Sequence, residues 1–108
     1  MTVGELCKTT GFTSVVCPEP DREITGAYIG DLLSWVMGRA PADSAWITIM
    51  SNVNVIAVAT LADTACVILA EGVTLDAEVT KTAEEKGINV LSAEISAYEI
   101  ALQLGELI

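Results

Sequence analysis

The second half of the chain alternates short apolar strands with helical segments, and this order constrains the fold more than any other feature. Residues 45–50 (AWITIM) are β-branched and apolar, which is typical of a strand. Cys66–Leu69 is a continuous apolar run, as expected of a central strand covered on both faces. Residues 88–91 predict a third strand. Helical segments follow these strands at 53–61, 75–86 and 97–108. The alternation predicts a mainly parallel sheet with right-handed crossovers.

The segment 53–61 differs from the other predicted helices because it is apolar almost all round. A helix of this kind must be buried on most faces, either inside the domain or in a subunit interface. A strand is the alternative, since valine and isoleucine are frequent, but the length of the segment favours a helix. Ser51-Asn52 supplies N-cap chemistry just before it.

Cap signals also mark the other helices. Thr74 precedes the polar helix 75–86, which ends at Gly87, and Ser96 with Glu99 fits a capping box before the last helix. In the first part of the chain, Thr2 caps a helix over 3–10 that stops at Gly11, and residues 12–17 and 24–29 predict strands. Asp31 is expected to cap a helix over 32–37, ended by Gly38 and Pro41.

These elements predict one α/β domain over residues 1–108, with a mainly parallel sheet of about four to five strands covered by helices. The length suits one domain, and neither an internal repeat nor a linker divides the sequence. The apolar fraction of 52% places the chain well away from disordered sequences.

The charge of the chain excludes several partners. Fifteen acidic residues against five basic ones give a net charge of −10, and the basic residues are scattered singly. Nucleic-acid binding normally needs a clustered basic surface, and anionic lipids would repel this chain. No apolar run approaches the roughly 20 residues that cross a bilayer. We therefore expect neither nucleic acid nor membrane as a partner.

The cysteines offer little support for catalysis or metal binding. Cys7, Cys17 and Cys66 lack CxxC spacing and the chain has no histidine, so a zinc site would need all three thiolates and a carboxylate. We interpret them as buried thiols of a cytoplasmic protein, since no signal peptide pattern precedes them. Lys8 follows Cys7 on a helix, and neighbours in sequence do not face each other there.

Enzymatic function is not expected from the remaining motifs. Without histidine the commonest general base is missing, and without a Gly-Lys pair there is no P-loop. The sequence therefore predicts no catalytic residue, no metal and no cofactor. A small enzyme that uses Cys17, Cys66 or a carboxylate pair is the least supported alternative.

Ligand capture by backbone groups at strand-to-helix junctions is better supported. In open α/β sheets, ligands gather beyond the carboxyl ends of the strands, where helix N-termini present free N–H groups. Gly30-Asp31, Ser51-Asn52 and Glu71-Gly72 occupy such junctions, and Arg22 is the cation expected to meet an anionic ligand. Ordinary capping and turn chemistry is the competing interpretation of the same residues.

Three segments resemble the DRTGG domain family over essentially the whole chain. They are DREITGAYIGDLLSWVMG from Asp21, AWITIMSNVNVIAVA from Ala45 and LSAEISAYEIA from Leu91. Asp21-Arg22 and Thr25-Gly26 match the letters of the motif with two residues intervening, and Ala27 stands where a second glycine is expected. The resemblance adds Asp21, Thr25 and Gly26 to the candidate ligand-binding residues, which are then Asp21, Arg22, Thr25, Gly26, Gly30, Asp31, Ser51 and Asn52.

The resemblance implies a fold like the N-terminal domain of HPr kinase/phosphorylase and an oligomeric regulatory or ligand-sensing role. The resemblance does not imply kinase activity, because the kinase P-loop belongs to a separate domain. The leading hypothesis is a non-catalytic regulatory module that forms a homodimer and binds a small nucleotide-like ligand. The alternative is an interaction subunit that docks onto a larger metabolic or redox enzyme without a ligand.

Overall fold

The computed structural model describes all 108 residues and contains five helices and five strands. The helices are α1 (Val3–Thr10), α2 (Leu33–Arg39), α3 (Val53–Ala62), α4 (Ala77–Glu85) and α5 (Ala97–Leu107). The strands are β1 (Thr13–Val16), β2 (Gly26–Ile29), β3 (Ser44–Thr48), β4 (Cys66–Leu69) and β5 (Val90–Ser92).

The strands form one sheet in the order β1-β5-β4-β3-β2. The four strands β2 to β5 are parallel, and β1 pairs antiparallel with β5 at one edge. Because these four strands run in the same direction, their carboxyl ends lie together at one edge of the sheet, called here the carboxyl edge. The opposite edge is called the amino edge. The predicted α/β fold with a mainly parallel sheet is confirmed.

Helices cover both faces of the sheet and create two separate cores. One core lies beneath α1 and α5 and includes Leu6, Ile47 and Ile100. The other lies beneath α2, α3 and α4 and includes Trp46 and Val55. Strand β4 sends alternate side chains into the two cores, and all four are fully buried. This position between two cores explains its continuous apolar sequence.

Helix caps follow the predicted chemistry with two corrections. Thr2 and Glu5 form a reciprocal capping box on α1, and the Asn52 side chain caps α3 by accepting the N–H of Asn54. Helix α4 begins later than predicted, because Asp76 rather than Thr74 accepts the backbone N–H three residues ahead. On α5, Ser96 accepts the N–H of Glu99, but the Glu99 carboxylate contacts the serine hydroxyl instead of its backbone.

The prediction for α2 is wrong in two details. Leu32 occupies the N-cap position without a side-chain cap, because the Asp31 carboxylate is used elsewhere. The helix also continues through Gly38 and ends at Arg39, since an isolated glycine weakens a helix without breaking it.

Candidate functional site

The eight predicted ligand-binding residues separate into two groups at opposite edges of the sheet. Asp21, Arg22, Thr25 and Gly26 precede or begin β2 at the amino edge, and Gly30, Asp31, Ser51 and Asn52 follow β2 and β3 at the carboxyl edge. The four residues of β2 separate the groups by about 13 Å at 3.3 Å per residue. They do not form one compact site.

The Arg22 guanidinium forms hydrogen bonds with two aspartates of the same chain. Its Nη2 atom donates to Asp43 Oδ1 at 2.9 Å, to Asp63 Oδ1 at 2.9 Å and to the Asp63 carbonyl at 2.6 Å. Partial burial alone would lower the pKa of Arg22, but the hydrogen bonds to Asp43 and Asp63 outweigh it and raise that pKa. The guanidinium therefore joins the loops before β2, β3 and β4, and its charge is already balanced.

The other residues at the amino edge also have structural roles. The Thr25 N–H donates to the Asp43 carbonyl at 2.9 Å, and Gly26 pairs in register with Ser44 at the start of β2. Asp21 lies exposed in the turn that precedes Arg22. The amino edge is therefore a junction of loops more than an open binding surface.

At the carboxyl edge, Gly30 joins β2 to the neighbouring strand. Its carbonyl accepts the indole N–H of Trp46 at 2.8 Å, and its N–H donates to the Ile47 carbonyl at 3.2 Å. A Cβ atom at this position would lie 3.1 Å from the Tyr28 ring. A larger residue at this position would therefore require the ring to shift by a few tenths of an ångström.

The Asp31 carboxylate accepts hydrogen bonds from the end of β3 through Oδ1, and its Oδ2 atom has no hydrogen-bond partner in the chain. Its Oδ1 atom accepts the Thr48 hydroxyl at 2.8 Å and the Ile49 N–H at 3.0 Å. The Thr48 hydroxyl in turn accepts the Met50 N–H at 3.1 Å. Both donors use the same carboxylate oxygen, so Oδ2 of this exposed side chain remains open to solvent.

Ser51 and Asn52 lie on the next loop of the same edge. The Asn52 side-chain oxygen accepts the Asn54 N–H at 2.9 Å, which leaves the amide NH₂ group as a donor on an exposed residue. Ser51 is half-buried beside it. The carboxyl edge thus offers a carboxylate acceptor and an amide donor on loops fixed by hydrogen bonds.

The third predicted junction, Glu71-Gly72, joins the loop after β4 to the loop after β5. The Glu71 N–H donates to the Ile95 carbonyl at 2.9 Å, and the Gly72 N–H donates to the Ala93 carbonyl at 2.8 Å. A Cβ atom on Gly72 would lie 2.7 Å from Glu94 Oε2. Glu94 was missed by sequence reasoning, because only the strand order brings its loop beside Gly72.

The carboxyl edge is acidic. The loops that follow the parallel strands carry carboxylates at Asp31, Glu71, Asp76 and Glu94, whereas none of the five basic residues lies in them. Phosphate groups at this edge would therefore meet like charge, which disfavours direct binding of a polyphosphate.

The DRTGG domain family model matches residues 31–107. The chain belongs to the DRTGG domain family. The match begins inside the first of the three segments that resemble the family, so it leaves out Asp21-Arg22 and Thr25-Gly26, and it contains Asp31, Ser51 and Asn52. No curated protein matches the sequence.

A solved structure shares the fold of this DRTGG domain. It is the crystal structure of the CBS and DRTGG domains of the regulatory region of Clostridium perfringens pyrophosphatase, complexed with the activator diadenosine tetraphosphate. The TM-score is 0.69 at 14% sequence identity, over 95% of this chain and 45% of that one. The chain therefore spans less than half the length of this structural relative.

The thiols of this DRTGG domain are poor nucleophiles. Cys7 and Cys17 are half-buried and Cys66 is fully buried, and all three contact the core beneath α1 and α5. Burial raises the pKa of each thiol, which lowers its thiolate fraction at neutral pH. With no histidine in the chain, these cysteines also lack the commonest general base.

None of the five helices is both long enough and apolar enough to cross a lipid bilayer.

Proposed function

We propose that this DRTGG domain is a non-catalytic regulatory module that forms a homodimer and binds a small nucleotide-like ligand at the carboxyl edge. Its family membership supports a regulatory role, since the structural relative is a regulatory region complexed with a dinucleotide activator. The raised pKa values of the thiols and the lack of histidine argue against covalent or acid–base catalysis.

The free Oδ2 atom of Asp31 is the observation that carries the ligand proposal. Thr48 and Ile49 hold the other oxygen of the same carboxylate, so Oδ2 is held in place and is open to solvent. A fixed carboxylate oxygen is well suited to accept a ribose hydroxyl or the amino group of a base. The Asn52 amide, on the adjacent loop, supplies a donor.

The charge of the edge determines how such a ligand would bind. Because the loops of this edge carry the carboxylates of Asp31, Glu71, Asp76 and Glu94, we expect the uncharged nucleoside part to face the protein and any phosphates to point into solvent. We therefore expect adenosine to bind at least as well as its phosphorylated forms.

Thermal unfolding with adenosine, AMP and diadenosine tetraphosphate tests the ligand proposal, with Asp31→Asn as the matched variant. Asparagine keeps an oxygen for Thr48 and Ile49 but replaces the free acceptor by an NH₂ donor. At about 100 times its Kd, a bound nucleoside should stabilise the wild type by about 2.7 kcal/mol. The variant should unfold at the same temperature as the wild type without ligand and should lose this shift.

Two results would contradict the ligand proposal. One is the lack of any nucleoside or nucleotide effect on wild-type unfolding, and the other is an equal ligand response in Asp31→Asn. The homodimer has a separate test, because sedimentation at tens of micromolar must show a dimer. A strict monomer at that concentration would remove this part of the proposal.

Docking onto a larger enzyme without a ligand is the second candidate function. It is favoured by Tyr98, whose side chain is 70% exposed on α5 together with that of Leu102. Exposed aromatic residues are enriched in protein interfaces. One stoichiometric enzyme partner that binds the wild type and not Tyr98→Asp would support this function, whereas a nucleoside effect on unfolding would favour the first.

A further inference from the structure

Strand β2 is an edge strand of the sheet, because it pairs with β3 on one side and with no strand on the other. The Gly30 N–H donates to the Ile47 carbonyl, and alternate residues of a parallel strand bond the same neighbour, so Tyr28 also faces β3. Ala27 and Ile29 therefore direct their N–H and C=O groups away from β3, and none of these four groups bonds a loop backbone. The strand thus presents two free donors and two free acceptors to a further strand.

The sequence of β2 lacks the features that protect exposed edge strands. Proteins usually block such strands with charged side chains, proline or bulges. The strand at the opposite edge, β1, has a register shift between Ser14 and Val16, and Pro18 follows it closely. In contrast, β2 (GAYI) is regular over its four pairs with β3 and contains neither proline nor charge. The side chain of Ile29 is also 52% exposed. This strand is therefore well suited to pair with another strand.

Helix α5 presents a second surface on the same side of the molecule. It packs over β3 and β2. Gln103 points towards β5, because it lines a hollow together with Ser92. Tyr98, Ala101 and Gly105 lie on the opposite side of the helix, which is the side of β2, at spacings of three and four residues. Tyr98 is 70% exposed, and a Cβ atom on Gly105 would meet nothing within 4 Å. The small residues leave room for another helix beside β2.

We propose that two copies of this chain pair their β2 strands antiparallel, about a two-fold axis that passes beside Tyr28 and is perpendicular to the sheet. Rotation about this axis reverses the direction of β2, so the two strands run antiparallel and the sheets of both copies become one. The rotation leaves each face of the sheet on its own side. The two α5 helices therefore lie next to each other on one face, and the two α2 helices lie on the other.

The register of the two strands follows from the free backbone groups. With the axis beside Tyr28, Ala27 of each copy pairs with Ile29 of the other, and these pairs satisfy every free group of both strands. An axis beside Ala27 would set Ile29 opposite Thr25, whose N–H is already bonded within the chain. An axis beside Ile29 would set Ala27 opposite Asp31, which lies beyond the end of β2. The register centred on Tyr28 is therefore favoured.

Charge and side chains identify a second copy as the partner of this strand. Residues 24–30 carry no charge in a chain of net charge −10, so two copies can meet here without placing carboxylates opposite each other in the strand pair. The two Tyr28 side chains meet at the axis, with Cβ atoms about 4.5–5.5 Å apart, and aromatic pairs of this kind stabilise sheets. Ile29 packs beside Ala27 of the other copy. The exposed Tyr98 then contacts the second copy and not a larger enzyme.

The inference rests on the proposed homodimer and names the strand that forms it. Sedimentation over a concentration series tests it with Ala27→Pro. Proline removes an N–H that has no partner within the chain, and proline is tolerated on the outer side of an edge strand. Because the dimer would lose two of its hydrogen bonds, association should weaken at least about tenfold. The matched control is Ala27→Ser, which keeps the N–H and should dimerise as the wild type does.

A disulfide tests the register. Opposite Cα atoms of a non-hydrogen-bonded antiparallel pair lie about 4.5 Å apart, so oxidised glutathione should link two copies of Tyr28→Cys through the new thiols. Ile29→Cys should form no such link, because its symmetry mate lies beyond the roughly 7 Å that a disulfide spans. Mass spectrometry distinguishes this link from disulfides of the native cysteines, and circular dichroism should show that all variants fold.

Three results would overturn the proposed pairing. A dimer that a folded Ala27→Pro variant leaves unchanged, or a Tyr28→Cys dimer that forms no link, overturns the pairing while the homodimer stands. A wild type that stays monomeric overturns the homodimer and the pairing together, and leaves the edge to a strand of another protein.

Discussion

Arg22 is the residue on which the amino edge depends most. One of its nitrogen atoms holds Asp43 and Asp63, which precede β3 and β4, and its own carbonyl accepts the N–H of Val3 at the start of α1. Both aspartates adopt positive φ angles, of 64° and 57°. Such a conformation is unfavourable for residues other than glycine, and the contacts to Arg22 help to offset its cost.

Replacement of Arg22 by alanine should therefore destabilise the fold. Hydrogen bonds to charged groups contribute about 1.5–3 kcal/mol, and the partial exposure of both carboxylates places the expected loss near 2 kcal/mol. Urea unfolding measures this loss as a lower midpoint. Lys8→Ala is the control, because Lys8 is exposed and forms no ion pair, and it should change stability by less than about 0.5 kcal/mol. Equal midpoints for the two variants would contradict the structural role of Arg22.

The sequence could not assign this role to Arg22. The sequence shows only a cation beside a turn, and such a residue can bind an external anion as well as a carboxylate of its own chain. The partners lie 21 and 41 residues away in sequence. Only the strand order, which places the starts of β2, β3 and β4 side by side, brings them together. The predicted cap role of Asp31 was wrong for the same reason, since its bond to Thr48 crosses between neighbouring strands.

At the scale of elements, the turn from β4 towards α4 contains two consecutive residues with positive φ. Glu71 has a φ of 60° and Gly72 a φ of 74°. Glycine adopts this conformation freely, whereas the Cβ atom of Glu71 makes it unfavourable by about 1–2 kcal/mol. The turn is nevertheless fixed, because both backbone N–H groups donate to the loop after β5.

Glu71→Gly should consequently stabilise the protein. Relief of the backbone strain exceeds the added entropy of the unfolded chain, and the net gain should be about 0.5–1 kcal/mol. Thermal unfolding would show it as a rise of a few degrees. Glu84→Gly, in the exposed part of α4, is the matched control and should lose about 1 kcal/mol. A loss of stability in Glu71→Gly would show that its side chain has a role beyond this turn.

The elements themselves were largely predictable. Strand β4 lies at its predicted bounds, and α3 begins after its predicted cap at Asn52, because local apolar runs and cap chemistry determine both. The start of α4 was predicted less well, since Thr74 and Asp76 are both suitable caps and tertiary contacts select between them. The candidate site was predicted only in part. The junctions after the strands were placed correctly at one edge, whereas Arg22 and its neighbours lie at the other.

For the whole molecule, the net charge of −10 opposes any association of two copies. The radius of gyration is 11.9 Å, so the centres of two packed copies lie only a few tens of ångströms apart. The Debye length is about 30 Å at 10 mM salt and about 8 Å at 150 mM. Repulsion between the two charges is therefore strong in dilute salt and largely screened at physiological ionic strength.

The dimer should therefore tighten as salt is added, in contrast to an interface held mainly by ion pairs. We expect the dissociation constant to fall at least about tenfold between 10 and 150 mM sodium chloride, measured by sedimentation. Glu84→Lys combined with Glu106→Lys provides the control, because both side chains are exposed and each change raises the net charge by two units. This double variant should dimerise more tightly than the wild type in dilute salt, and its dissociation constant should change less when salt is added. A dissociation constant that rises with salt would contradict this prediction, because it would mean that attraction between charges holds the two copies together.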